Sequence, residues 1–211
     1  MTNPLPRRQF VKTAATTAMV GSLLQLTGHS MVHGEAPGDN EIRLALVGCG
    51  GRGTGAANDA LHVDNAKTKL VAMADVSAPR LQSSIDALSN EFTDQPEKVD
   101  VPEDHRFVGF DGYKSAMDVL RPGDIVILTT PLAFRAPHFE YAIQRGLHVF
   151  MEKPLTADGP TSIKMSELAQ QADAKNLKCG VGLMVRHCRA RQELHKRIQD
   201  GEIGDILTMR A

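Results

Sequence analysis

Residues 42–55 read IRLALVGCGGRGTG, a short apolar run followed at once by five glycines. An apolar run of this length bounded by glycine reads as a buried strand, and 54–63 behind it has the period of a helix. Only one register of the glycines, Gly48-x-Gly50-x-x-Gly53, falls at such a strand-to-helix turn. Gly48 permits the tight turn, Gly50 lets the backbone approach a pyrophosphate, and Gly53 lets the helix lie close on the strand. The helix start adds free N–H groups and a partial positive charge, with Gly51 and Arg52 in the same loop. This feature confines the chain to folds in which a strand feeds a helix beside a nucleotide-sized crevice.

The alternation continues. Apolar runs at 69–74, 125–128, 148–151 and 178–182 read as further buried strands, with a weaker one at 106–108. Between them, 78–92, 113–120, 137–145 and 161–175 read as helices. Pro137 suits a first helical turn and Gly146 a C-terminal cap. Strict strand–helix alternation predicts an α/β fold, a doubly wound parallel sheet of the Rossmann type over 41–184. The polar, proline-containing 93–105 reads as a surface insertion. After a charged helix at about 190–200, GEIGDILTMRA turns into a new strand-like run. On this reading 185–211 opens a second α/β domain that is cut short, as by C-terminal truncation.

A net charge of −1 with 23% charged residues gives no basic excess for nucleic acid, and no later apolar run is long enough for a stable membrane span. Residues 1–36 differ from the rest. Arg7, Arg8 and Lys12 precede a modestly apolar stretch, and no acid occurs before Glu35. That is the layout of a secretory signal peptide. Arg7-Arg8-Gln9-Phe10-Val11-Lys12 matches the twin-arginine export pattern, with Pro6 where Ser or Thr is commoner. The pattern implies the twin-arginine translocation machinery as a partner, a periplasmic or otherwise exported location, and folding around a cofactor before export. Cleavage after Gly34 or after Ala36 fits equally. Cys49, Cys179 and Cys188 form no ligand cluster, so no metal site is expected. They read as buried free thiols, with a Cys179–Cys188 disulfide as the alternative.

Asp75 ends the second strand roughly 20 residues beyond Gly53, where a carboxylate meets the adenosine ribose hydroxyls. Such a carboxylate repels a 2′-phosphate and favours NAD over NADP, although Arg80 offers a stacking surface or a phosphate contact. A strand-end residue capping the next helix is the other reading of Asp75. Thr129, Thr130 and Pro131 follow a strand at the end where open α/β sheets bind ligands, and so border the nicotinamide half. His138 reads as a structural partner or a catalyst. HVFMEKPLT sets Glu152-Lys153-Pro154 at the mouth of the sheet. A half-buried Lys153 beside a nicotinamide would polarise a substrate hydroxyl or carbonyl, or relay a proton. By residue type alone, the Glu–Lys pair is a solvated surface pair.

The glycines of 48–53, Asp75, the Thr-Pro strand end and Glu152-Lys153-Pro154, in that order, resemble the glucose–fructose oxidoreductase/inositol dehydrogenase/rhizopine-catabolism (Gfo/Idh/MocA) family over 41–211. VGCGGRGTG, RFVGFDGYKSAMD, HVFMEKPLT and KRIQDGEIGDI are especially similar to its exported bacterial branch. The resemblance implies an NAD(P)-dependent oxidoreductase acting on a sugar, polyol or related carbohydrate, with Lys153 catalytic. It implies a cofactor site of Gly48, Gly50, Gly51, Arg52, Gly53, Asp75, Arg80, Thr130, Pro131, Glu152 and Lys153, in which Glu152 and Pro154 shape the pocket. Arg186 and His187 of GLMVRH become candidates for the substrate side, His187 equally for a domain-junction hydrogen bond. The family's further catalytic Asp and His would fall beyond Ala211. The resemblance also implies a full-length homo-oligomer and a 211-residue chain with little turnover of its own. A glycosidase of the same superfamily, using held NAD for transient oxidation, and a non-catalytic nucleotide-binding remnant are the alternatives.

Overall fold

The structure, a computed structural model, describes residues 41–210, so the expected signal peptide lies outside the described residues. β1 (Glu41–Val47), α1 (Gly51–Leu61), β2 (Lys67–Asp75), α2 (Ala78–Glu91), β3 (Arg106–Val108) and α3 (Gly112–Asp118) form the first half. β4 (Ile125–Leu128), α4 (Arg135–Gln144), β5 (His148–Met151), α5 (Gly159–Ala174) and β6 (Cys179–Val181) form the second, and α6 (Met184–His187) and α7 (Arg189–Gln199) follow. All six strands are parallel, in the order β3-β2-β1-β4-β5-β6. This is the doubly wound order of a Rossmann fold.

Successive β1 residues serve opposite faces. Leu44 and Leu46 pack with Ala57 and Leu61 of α1 and Leu81, Ile85 and Leu88 of α2. Ala45 and Val47 join Met117 of α3, Phe139 and Ile143 of α4 and Leu168 of α5. Burial on both faces explains why the strands read as continuous apolar runs. Each fully buried leucine contributes roughly 1.5–3 kcal/mol. Beneath the sheet, buried Asp124 accepts hydrogen bonds from the Arg43 N–H (3.2 Å) and the Arg121 N–H (2.8 Å), tying β4 to β1 at their N-terminal ends.

Three of the departures from the sequence reading bear on how the chain is held. α1 starts at Gly51 rather than 54, so the glycines form its first turn, and no side chain caps it at Gly50. α5 starts at Gly159 rather than 161, because the Asp158 carboxylate accepts the Thr161 N–H at 2.7 Å and Pro160 occupies the first turn. The segment 93–105 is more than a surface insertion. β3 pairs only with Met73–Asp75, leaving the earlier part of β2 with an open edge. Val99 bridges Leu70, the Asp100 N–H donates to the Leu70 carbonyl, His105 Nδ1 meets the Val71 carbonyl, and Val101 is buried. The segment thus covers that edge.

Two further expectations are corrected. Cys179 and Cys188 are exposed rather than buried, and all three thiols are free. The run at 204–210 forms no strand, since it pairs with none of the described strands.

His138, in the first turn of α4, is 5% exposed between the rings of Tyr113 (4.1 Å between centroids) and Phe134 (6.0 Å), with Nδ1 3.2 Å from Thr130 Oγ1. Burial, and secondarily the charge of Arg135, push its pKa down from 6.5 to about 4. The unfolded chain therefore takes up this proton first on acidification. The contribution to stability is complete above pH 6.5 and is lost as pH falls toward 4. His138→Gln is expected to flatten the fall in unfolding free energy across that window by on the order of 2 kcal/mol, measured by urea titration at several pH values. Parallel profiles for parent and variant would exclude His138 as the titrating group.

A methyl group at Gly53 would collide with the Gly48 carbonyl oxygen and lie 2.6 Å from Thr129 Oγ1. The first obstacle is backbone, so α1 would have to lift off β1. Gly53→Ala is expected to destabilise the fold by roughly 1–3 kcal/mol, read as a lower thermal midpoint. An unchanged midpoint would refute the close seating of α1.

Candidate cofactor and active site

A cleft of about 400 Å³ opens at the C-terminal ends of the strands, beside the β1–β4 neighbour pair at which the order of the sheet reverses. Gly48, Gly50, Asp75, Arg80, Thr130, Pro131 and Lys153 all line it, so these expected site residues meet in one space. Gly51 and Arg52 line an adjoining groove between α1 and α2, which shares Gly50 and Arg80 with the cleft. Gly53 and Glu152 line neither.

The glycine turn is fixed from three sides. Gly48 has φ 98°, a left-handed conformation, and its N–H donates to the Ala74 carbonyl at 2.8 Å. Thr129 Oγ1 donates to the Gly48 carbonyl at 2.6 Å, and the Thr129 N–H donates to the Val47 carbonyl at 2.9 Å. Thr129 therefore buttresses the turn as well as lining the cleft. Asp75 Oδ2 accepts the Cys49 N–H at 2.7 Å, and its Oδ1 accepts the Ser77 N–H at 2.8 Å. Asp75 thus shapes the entry to α2, and a carboxylate with two such bonds keeps lone pairs for other donors. Cys49 is buried against this carboxylate, and burial followed by the charge of Asp75 pushes its thiol pKa up to about 12.

The loop accommodates a dinucleotide. Apart from the adjoining backbone of the loop and helix, no protein atom lies within 4 Å of where a Cβ on Gly50 or Gly51 would stand, so the packing of this chain does not call for glycine there. The first turn of α1 has no side-chain cap and no acidic residue, leaving its N–H groups for an anion. A diphosphate over Gly50, with Asp75 toward a ribose, matches these features.

Around Glu152 the structure shows contacts that the sequence reading missed. Glu152 is buried rather than lining the pocket. Its Oε1 accepts the Arg52 Nε–H at 2.9 Å, so Arg52 reaches away from the loop to clamp the end of β5. A Cβ on Gly182 would stand 2.6 Å from the same carboxylate, so glycine leaves room for it where the chain leaves β6. Below them lies Arg135, 2% exposed, whose guanidinium donates to the Glu152 carbonyl and, at 2.9 Å, to the Thr130 carbonyl. Burial lowers its pKa and the Glu152 charge partly offsets this. Arg135 thereby ties together the ends of β4 and β5 that flank the cleft. An arginine among apolar helix residues carries no sequence signal of such a role.

Lys153 is exposed rather than half-buried, and it borders both the cleft and a second cleft beyond β6. Arg186 lines that second cleft, while His187 lines neither. Among the described residues no cluster of His, Cys, Asp or Glu could hold a metal, and no helix is long and apolar enough to cross a membrane.

Comparison with known proteins agrees with this geometry. The Gfo/Idh/MocA family model, described as an oxidoreductase family with an NAD-binding Rossmann fold, matches residues 42–183. An inositol 2-dehydrogenase of Corynebacterium glutamicum is 34% identical over 87 residues, covering 41% of this chain and 25% of that protein. A glycosyl hydrolase family 109 protein of Shewanella sp. (strain ANA-3) is 26% identical over 95% of this chain and 44% of its own length. The crystal structure of myo-inositol 2-dehydrogenase from Lactobacillus plantarum shares the fold with a TM-score of 0.60 at 23% identity, over 79% of this chain and 43% of that one. The chain spans less than half the length of each of these relatives. With the family model running from β1 to β6 and the cleft lying where that fold binds its nucleotide, the chain belongs to the Gfo/Idh/MocA oxidoreductase family and carries its NAD-binding Rossmann fold.

Proposed function

We propose that the chain is the nucleotide domain of an exported, NAD-dependent oxidoreductase acting on a polyol, sugar or related carbohydrate. The observation that carries this reading is the convergence of the glycine turn, Asp75, Thr130, Pro131 and Lys153 on one cleft at the strand ends. The relatives named inositol 2-dehydrogenases support a polyol or sugar substrate. When bound, the nicotinamide supplies the hydride acceptor or donor. This chain's own residues bind and orient. The first turn of α1 offers its N–H groups to the diphosphate, and Asp75 accepts from ribose hydroxyls while repelling a 2′-phosphate. Thr130 and Pro131 wall the nicotinamide end. Lys153 donates a hydrogen bond to the substrate oxygen and stabilises the charge that develops there as the neighbouring C–H bond breaks or forms.

Residues 185–211 open the substrate domain. Exposed Leu194, Ile203, Leu207 and Met209 support this, because such a set marks a packing surface. A second reading, a glycosidase that uses held NAD for transient oxidation, is favoured by the Shewanella relative, whose match runs over 95% of this chain. The two differ in outcome: NADH accumulates in the first, whereas glycoside is cleaved with no net redox change in the second.

Fluorescence titration of the full-length protein should find NADH bound at least about tenfold more tightly than NADPH. Gly50→Ala should weaken NADH by about tenfold or more with the thermal midpoint unchanged, since only the ligand opposes that methyl. Lys153→Ala should cut kcat by roughly 10²–10⁴ with NADH affinity within a few-fold. Absence of nucleotide binding, or an unchanged kcat across sugars and polyols, would sink the proposal. For export, replacing Arg7 and Arg8 by Lys should retain the protein in the cytoplasmic fraction, and unaltered fractionation would remove the twin-arginine assignment.

A further inference from the structure

The second cleft, about 960 Å³, lies on the far side of Lys153, between the end of β6 and the helices α6 and α7. Among the described residues, Lys153, Arg186, Arg191, Gln192 and His195 line it, and no carboxylate does. Arg191 and His195 stand one helical turn apart, on the same face of α7. The acid–base pair of that helix sits on another face: Arg197 is held by Glu193 at 2.9 Å and by Glu202 at 3.8 Å. Among the described residues, Lys153, Arg186 and Arg191 have no ion-pair partner. Gln192 Nε2 donates to the Arg186 carbonyl at 2.8 Å, which ties α7 to α6. Leu183, Met184 and Val185 give the cleft an apolar wall.

Cations gathered in a concave site without acids focus a positive potential. Lysine and arginine offer only donors, and the Gln192 and His195 side chains add few acceptors for the several hydroxyls of a neutral sugar. An arginine fork matches the paired oxygens of a carboxylate or phosphate. We infer that this cleft receives an anionic group: the substrate is a carbohydrate bearing a carboxylate or phosphate, held by Arg186 and Arg191 while its reacting hydroxyl or carbonyl meets Lys153. The inference rests on the oxidoreductase reading of the cleft across Lys153, and it narrows the substrate class of that site.

The test is calorimetric titration of the full-length protein, with and without NADH, using glucuronate, glucose 6-phosphate and glucose. One of the two anions is expected to bind at least about tenfold more tightly than glucose, and which one identifies the acid group. High salt should weaken it several-fold. Arg186→Gln combined with Arg191→Gln should abolish the preference while the NADH dissociation constant stays within about twofold. Glu193→Gln, on the other face of α7, should leave the preference intact. Equal binding of all three sugars, or a preference that survives the double substitution, overturns the anionic assignment and leaves the oxidoreductase reading standing. Loss of NADH binding in the parent protein overturns that reading instead, and the titrations without NADH still decide the anion question.

Discussion

The seating of α1 against the end of β1 is the contact on which the site depends. Gly53 lies against the Gly48 carbonyl, and the same carbonyl accepts the Thr129 hydroxyl. One peptide group therefore joins β1, α1 and the end of β4. The Gly48 N–H reaches Ala74 and the Cys49 N–H reaches Asp75, which adds β2 to the junction. With three strands and a helix meeting at two residues, the N-terminus of α1 has one available direction, over the crevice. The loop is preorganised for an anion by packing that lies beneath it.

On the other side of the crevice the ordering element is polar. Arg135 is buried with no carboxylate bonded to its guanidinium, which bridges the carbonyls of Thr130 and Glu152. The Glu152 side chain turns back to Arg52, and Gly182 leaves room for it. Buried charge of the Arg135 kind is costly: two of its nitrogens find carbonyl acceptors while Nε finds none among the described residues, and those two bonds fix the position of both strand ends. Lys153 follows directly in sequence, so its backbone inherits that position while its side chain stays free at the rim of two clefts.

How much of this was legible follows from the range of each interaction. The strands could be read because burial on both faces leaves uninterrupted apolar runs, and 125–128, 148–151 and 106–108 match β4, β5 and β3 at both ends. The glycine turn could be read because its geometry is local. α1 was placed three residues late, since glycine is a poor helix former and only the strands beneath hold Gly51 and Gly53 in a helical turn. Gly182 and the clamp between Arg52 and Glu152 were invisible because their partners lie far off in the chain, Arg52 and Glu152 being separated by 100 positions. For the same reason 93–105 looked like a bare insertion: its task is set by the open edge of β2, which no local pattern reveals.

The burial of Cys49 has a chemical consequence of its own. A thiol with a pKa near 12 is about one part in 10⁵ thiolate at pH 7, and the thiolate is the form that oxidants, disulfides and electrophiles attack. The same Asp75 carboxylate that anchors the turn thus also suppresses the reactivity of the cysteine inside it. Cys179 and Cys188, both exposed, lack the enclosure that shields Cys49. An oxidising environment would mark those two first and leave the nucleotide loop chemically unaltered.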